Sequence, residues 1–139
     1  MAELGIEIIT PAKVAFKGSA KSVTVPGTVG SFQVLYNHAP IISTFEIGSI
    51  KISFADNKNS YFATGGGTIE VLNNNVRILA DSLEAIAEID VDRANNAKER
   101  AINRLRRAGE EKIDRQRAEL ALARADNRIK LFNKYFNAV

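Results

Sequence analysis

Residues 84–94 read Glu84-Ala85-Ile86-Ala87-Glu88-Ile89-Asp90-Val91-Asp92-Arg93-Ala94. A β-rich stretch ends here and an arginine-rich helical stretch begins. The joint is an Ile-Asp-x-x-Arg-Ala sequence. Asp90 is placed as an N-cap, because a short carboxylate accepts the orphan amide protons of a helix's first turn. Arg93 then opens a row of arginines. This single boundary fixes an α+β chain with its β part first.

Upstream, short β-favouring runs recur between turn signals. They are Leu4 to Thr10, Val14 to Lys17, Ser22 to Val25, Gly30 to Val34, Gly48 to Phe54, Tyr61 to Thr64, Thr68 to Leu72 and Val76 to Ala80. Pro26-Gly27, Asn37-His38-Ala39-Pro40, Asp56-Asn57-Lys58-Asn59, Gly65-Gly66-Gly67 and Asn73-Asn74-Asn75 punctuate them. Spacing of this kind predicts a sandwich or flattened barrel of about ten strands over residues 1–86.

Downstream, residues 87–139 predict an antiparallel two-helix hairpin. No Pro or Gly interrupts Asp90 to Arg107, and Gly109 marks a break before a second helix from about Glu110 to Asn133. Val91, Ala94, Ala97, Ala101 and Leu105 form one stripe, and Ala118, Ala121, Leu122, Ala125, Ile129 and Phe132 another. Alanine lets two helices approach closely but removes little apolar area. At roughly 25 cal/mol per Å² such a seam is worth only a few kcal/mol. The hairpin is expected to be marginal and able to open.

Charge divides as the structure classes do. Residues 1–84 carry 6 Lys/Arg against 7 Asp/Glu, and residues 85–139 carry 13 against 9. Arg93, Arg100, Arg104 and Arg107 share one face of the first helix; Arg117, Arg124 and Arg128 share one face of the second. Two readings stay open at this level. One is a solvated face with local ion pairs such as Glu99 with its neighbours. The other is an anion site, since guanidinium forks suit phosphate. A basic hairpin binding nucleic acid is a further alternative, consistent with a pI near 9.3. The interspersed acids and the Ile-Asp-x-x-Arg-Ala joint are not explained by it.

Several functions are excluded or disfavoured. With no Cys and one His there is no disulfide and no adequate set of transition-metal ligands. His38 reads as a turn or interface residue. Gly65-Gly66-Gly67 is not followed by Gly-Lys-Ser/Thr, so it is not a phosphate loop of that type. No Ser-His-Asp or Cys-His set stands out, and no catalytic residue is assigned. Nothing at the start resembles a signal peptide, and no stretch approaches the ~18 apolar residues of a membrane span. A soluble chain is expected, one that sits at most on a membrane complex.

The joint, together with Arg117-Ala118-Glu119-Leu120-Ala121-Leu122-Ala123-Arg124-Ala125, resembles the ε subunit family of bacterial F-type ATP synthases. Gly30-Ser31-Phe32, Asn37-His38-Ala39-Pro40 and Gly65-Gly66-Gly67-Thr68-Ile69-Glu70-Val71 are similar to that family's N-terminal domain. Gln33 and Tyr36 depart from its usual Gly and Pro. The resemblance implies a non-catalytic rotor subunit on the cytoplasmic side of the inner membrane, peripheral to it and free of nucleic acid. The β domain would meet the γ subunit and the c-ring, with Gly30, His38 and Pro40 at the partner interface. The hairpin would extend toward the α and β subunits and inhibit hydrolysis. No cofactor or metal is required. ATP would be a regulatory ligand at Glu84, Ile89, Asp90, Arg93, Ala94, Arg100, Arg124 and Arg128. Asp90 would accept from the adenine amino group, with Ile89 and Ala94 against the base.

Overall fold

The computed structural model describes residues 2–107 and 115–136. The chain divides into two compact units, Met1–Ala85 and Ile86–Val139. The expected break at Gly109 and helix start at Glu110 lie outside the described residues.

The first unit contains eight strands: β1 (Leu4–Ile9), β2 (Val14–Ala20), β3 (Ser22–Gly27), β4 (Gly30–Leu35), β5 (Ile41–Ser53), β6 (Asn59–Leu72), β7 (Asn75–Ala80) and β8 (Leu83–Ala85). They form one sheet in the order β2-β1-β7-β6-β5-β3-β4, with β8 also paired to β6. The β1–β7 pair is parallel and the others are antiparallel. Eight strands replace the roughly ten expected, and the α+β class stands. Two expected runs merge into β6, because Gly65–Gly67 carry the strand through rather than ending it. β6 pairs with β8 through Phe62–Thr64 and with β7 through Gly67–Leu72, so the glycines sit where it changes partner. Gly67 has φ 157°, and a Cβ there would overlap the carbonyl oxygen of Leu79. The strand crossing requires a residue without a side chain.

Alternation sets the inner face. Leu4, Ile6 and Ile8 on β1 and Val76, Ile78 and Ala80 on β7 point inward while their neighbours face out. With Val23, Val25, Val34, Ile50, Ile52, Ile69 and Val71 they build one core. Each Val, Leu or Ile among them stabilises by about 1.5–3 kcal/mol when fully buried. The sheet folds back on itself. Phe16 on the edge strand β2 packs against Phe54 at 6.3 Å and Phe62 at 6.4 Å, although β5 and β6 lie several strands away in the sheet.

The second unit opens with a short 3-10 helix, Ile86–Glu88, followed by α1 (Val91–Arg106) and α2 (Arg115–Tyr135). α1 packs against α2. The most deeply buried seam residues are Ala94 and Ala101 on α1 and Ala118 and Ala125 on α2. Each pair is separated by seven residues, the spacing that keeps a seam in register between two helices. The larger stripe residues Val91, Leu105, Leu122, Ile129 and Phe132 are half-buried. Leu131 lies off the seam and is also buried.

Candidate functional site

The proposed ligand residues are spread over both units. Glu84 is the central residue of β8, paired with Ala63 of β6. Its strand is held by Thr64, a buried hydroxyl whose Oγ1 donates to the Ser82 carbonyl at 3.0 Å and accepts from the Gly66 amide at 3.3 Å. The other seven residues belong to the second unit.

Around the start of α1 the local physics is explicit. Asp90 has extended backbone, φ −87° and ψ 99°, and caps α1. Its Oδ1 accepts the backbone N–H of Arg93 at 3.0 Å. The cap thus uses one carboxylate oxygen. It also fixes the Arg93 backbone at the first turn, leaving the guanidinium exposed. Ile89 and Ala94 are only 6% and 3% exposed. Both therefore present little apolar surface to a base in this conformation.

Arg100 is exposed, whereas Arg124 and Arg128 are half-buried. Between α1 and α2, Lys98 Nζ meets Asp126 Oδ1 at 3.0 Å. Among the described residues Arg93, Arg100 and Arg124 form no ion pair. Glu99, the expected local partner, forms none either. On α2 it is Arg115 that pairs, with Glu119 at 3.0 Å. Acids that engage neighbouring cations in this way weaken a phosphate-tracking nucleic-acid surface.

The second candidate region lies in the β unit. Gly30 opens β4 with φ 136°, opposite Gly27, and Val29 at the tip of that turn is fully exposed. His38 donates its amide to the Leu35 carbonyl at 3.1 Å. Its ring Nδ1 lies 2.8 Å from the Ala39 carbonyl, which can only accept, so in this contact Nδ1 is the donor. Pro40 is exposed. Beside it runs a shallow groove of about 400 Å³ lined by Pro40, Ile41, Ile42, Glu70, Val71 and Leu72. Ile42 is 78% exposed and Leu72 48%. The sequence reading counts Ile42 in the apolar mass of the β half, whereas the structure exposes it, and it does not single out Leu72. The signal was available for Ile42: two adjacent isoleucines in a strand cannot both face one core.

Among the described residues no group of three or more His, Cys, Asp or Glu is placed to hold a metal. No described helix is long and apolar enough to cross a membrane.

A β-sandwich unit followed by a long-helix unit defines a class of subunit seen in rotary synthases. Residues 3–86 match the family "ATP synthase, Delta/Epsilon chain, beta-sandwich domain", and residues 87–133 match "ATP synthase, Delta/Epsilon chain, long alpha-helix domain". The chain belongs to the ATP synthase delta/epsilon chain family and is a non-catalytic subunit. It is 45% identical over 124 residues to the ATP synthase epsilon chain of Desulfitobacterium hafniense, covering 89% of this chain and 92% of that one. It is 41% identical over 125 residues to the ATP synthase epsilon chain of Desulforamulus reducens, covering 90% and 93%. Its fold is similar to a chain in the cryo-EM structure of the Euglena gracilis mitochondrial ATP synthase, with a TM-score of 0.78 at 19% identity, covering 91% of this chain and 79% of that one.

Proposed function

We propose that this chain is the epsilon subunit in the central stalk of an F-type ATP synthase and that its hairpin is an ATP-set switch on hydrolysis. The β unit binds the γ subunit and the c-ring, with Gly30, His38 and Pro40 among its contact residues. The subunit lies on the cytoplasmic side of the inner membrane, peripheral to it. The hairpin extends toward the α and β subunits to inhibit hydrolysis. One observation carries the switch reading: Ile89-Asp90-x-x-Arg93-Ala94 opens a helix that packs on its partner through an alanine seam and carries Arg93 and Arg100 exposed.

ATP is the anion of this reading. Its phosphates neutralise Arg93, Arg100, Arg124 and Arg128. Asp90 accepts from the adenine amino group, and Ile89 and Ala94, buried in this conformation, offer the base only a small apolar edge. A ligand of one conformer stabilises that conformer by RT ln(1 + [L]/Kd). The equilibrium moves only by the difference in affinity between the two conformers. High ATP keeps the arm closed, and low ATP releases it.

Calorimetric titration of the full chain with ATP, with and without Mg²⁺, and with ADP and GTP as controls, tests the switch. Binding that is lost in Arg93→Ala and Arg124→Ala is expected. No heat up to several millimolar ATP would leave the stalk assignment in place and make the arginines contacts to other subunits. For the same reason, Arg124→Ala should inhibit hydrolysis more strongly than the parent at a given ATP level.

A further inference from the structure

Asn37 and Asn74 sit in different turns at one end of the β unit, and both have left-handed backbone, φ 65° and 62°. Asn74 is the second residue of the two-residue turn that closes Leu72 onto Asn75, preceded by Asn73 at φ 50°. Two successive positive φ values make this the turn type whose twist suits a hairpin. Asn37 lies in the turn closed by the His38 amide on the Leu35 carbonyl.

The two side chains lock these turns together. The Asn37 backbone N–H donates to Asn74 Oδ1 at 2.6 Å, and Asn74 Nδ2 donates to Asn37 Oδ1 at 3.3 Å. The Asn74 carbonyl accepts the Gly5 amide at 2.9 Å, which ties β1 to the same point. The position is not incidental. The β5–β6 ladder runs as far as Ile41 opposite Val71. Pro40 has no amide proton to continue it. Beyond the end of the ladder the Asn37–Asn74 bonds join the two turns.

We infer that Asn74 is a positioning residue for the Asn37–Pro40 turn, holding His38 and Pro40 in the arrangement that a partner subunit meets. This rests on the reading of that turn as a partner contact. A turn fixed in advance spares the ordering cost that binding otherwise carries.

The test uses the full chain and the cognate synthase complex from which this subunit has been removed. Asn74→Gly keeps the left-handed backbone and the carbonyl that holds Gly5, and deletes only the side chain. Asn74→Asp keeps the acceptor for the Asn37 amide. His38→Ala is measured beside them, with hydrogen exchange at the Asn37 amide and melting of each variant. Expected are faster exchange at Asn37 and about tenfold weaker binding in Asn74→Gly, the scale of losing hydrogen bonds of this kind. Asn74→Asp should retain most of the affinity, and melting should change little. Parent-like affinity in Asn74→Gly, while His38→Ala binds more weakly, would overturn the inference. Unchanged exchange at Asn37 would do the same. If neither Asn74→Gly nor His38→Ala alters binding, the turn is not a partner contact, and the interface reading falls with the inference.

Discussion

Lys98 on α1 and Asp126 on α2 join the two helices of the hairpin through a 3.0 Å ion pair. Their side chains are 41% and 49% exposed, so solvent screens the attraction and the pair is worth under about 1 kcal/mol. In a hairpin with an alanine seam even that is a useful share. Asp126→Asn should lower the helical melting transition slightly at low salt and leave it unchanged at high salt, where surface charges are screened. A double-mutant cycle with Lys98→Met, followed by circular dichroism, should give a coupling of about 0.2–1 kcal/mol. A coupling that persists undiminished at high salt would contradict this account.

Ala101 and its seam partners are as small as the helix spacing demands. Ala101 is 2% exposed, and Ala118 and Ala125 are each 1% exposed. Ala101→Leu should push α1 from α2 and destabilise the hairpin by about 1–3 kcal/mol, the usual cost of overpacking. Thermal melting should show the loss in the helical signal with the β unit little affected. Under the proposed switch the same change should favour the open arm and strengthen inhibition of hydrolysis.

Asp90 has a visible structural task and a proposed ligand task, and two substitutions separate them. Asp90→Ala removes the bond to the Arg93 amide and should cost about 1 kcal/mol of helix stability. Asp90→Ser retains a capping oxygen and should restore most of that. ATP affinity should fall in both variants if the carboxylate contacts adenine. Recovery of affinity in the serine variant would assign Asp90 to capping alone.

Gly67 marks the tightest strand crossing of the β unit. A Cβ would overlap the Leu79 carbonyl oxygen and stand 3.0 Å from the Ala80 Cα. Both obstacles are backbone and cannot rotate aside. Gly67→Ala should therefore destabilise the β unit by at least about 1–3 kcal/mol. Chemical denaturation that finds it as stable as the parent would contradict so close an approach of β6 and β7.

What is legible in the sequence depends on how local its cause is. The Asp90 cap and α1 follow from residues within one turn of each other, and both stand where the pattern places them. The inward rows of β1 and β7 follow from period-two alternation. β8 is not legible in this way, since three residues carry too little pattern and pair with β6 only because the chain returns there.

The order of a β unit and a helical hairpin, the segregation of arginines into the second, and the alanine seam all follow from residue type and periodicity along the chain. That Gly65–Gly67 lie inside one strand, that Lys98 meets Asp126, and that Asn37 is held by Asn74 emerges only in the folded chain. Those pairings join positions far apart in sequence. A residue's chemistry says what it can bond to, but only the folded path of the chain brings the partner within reach.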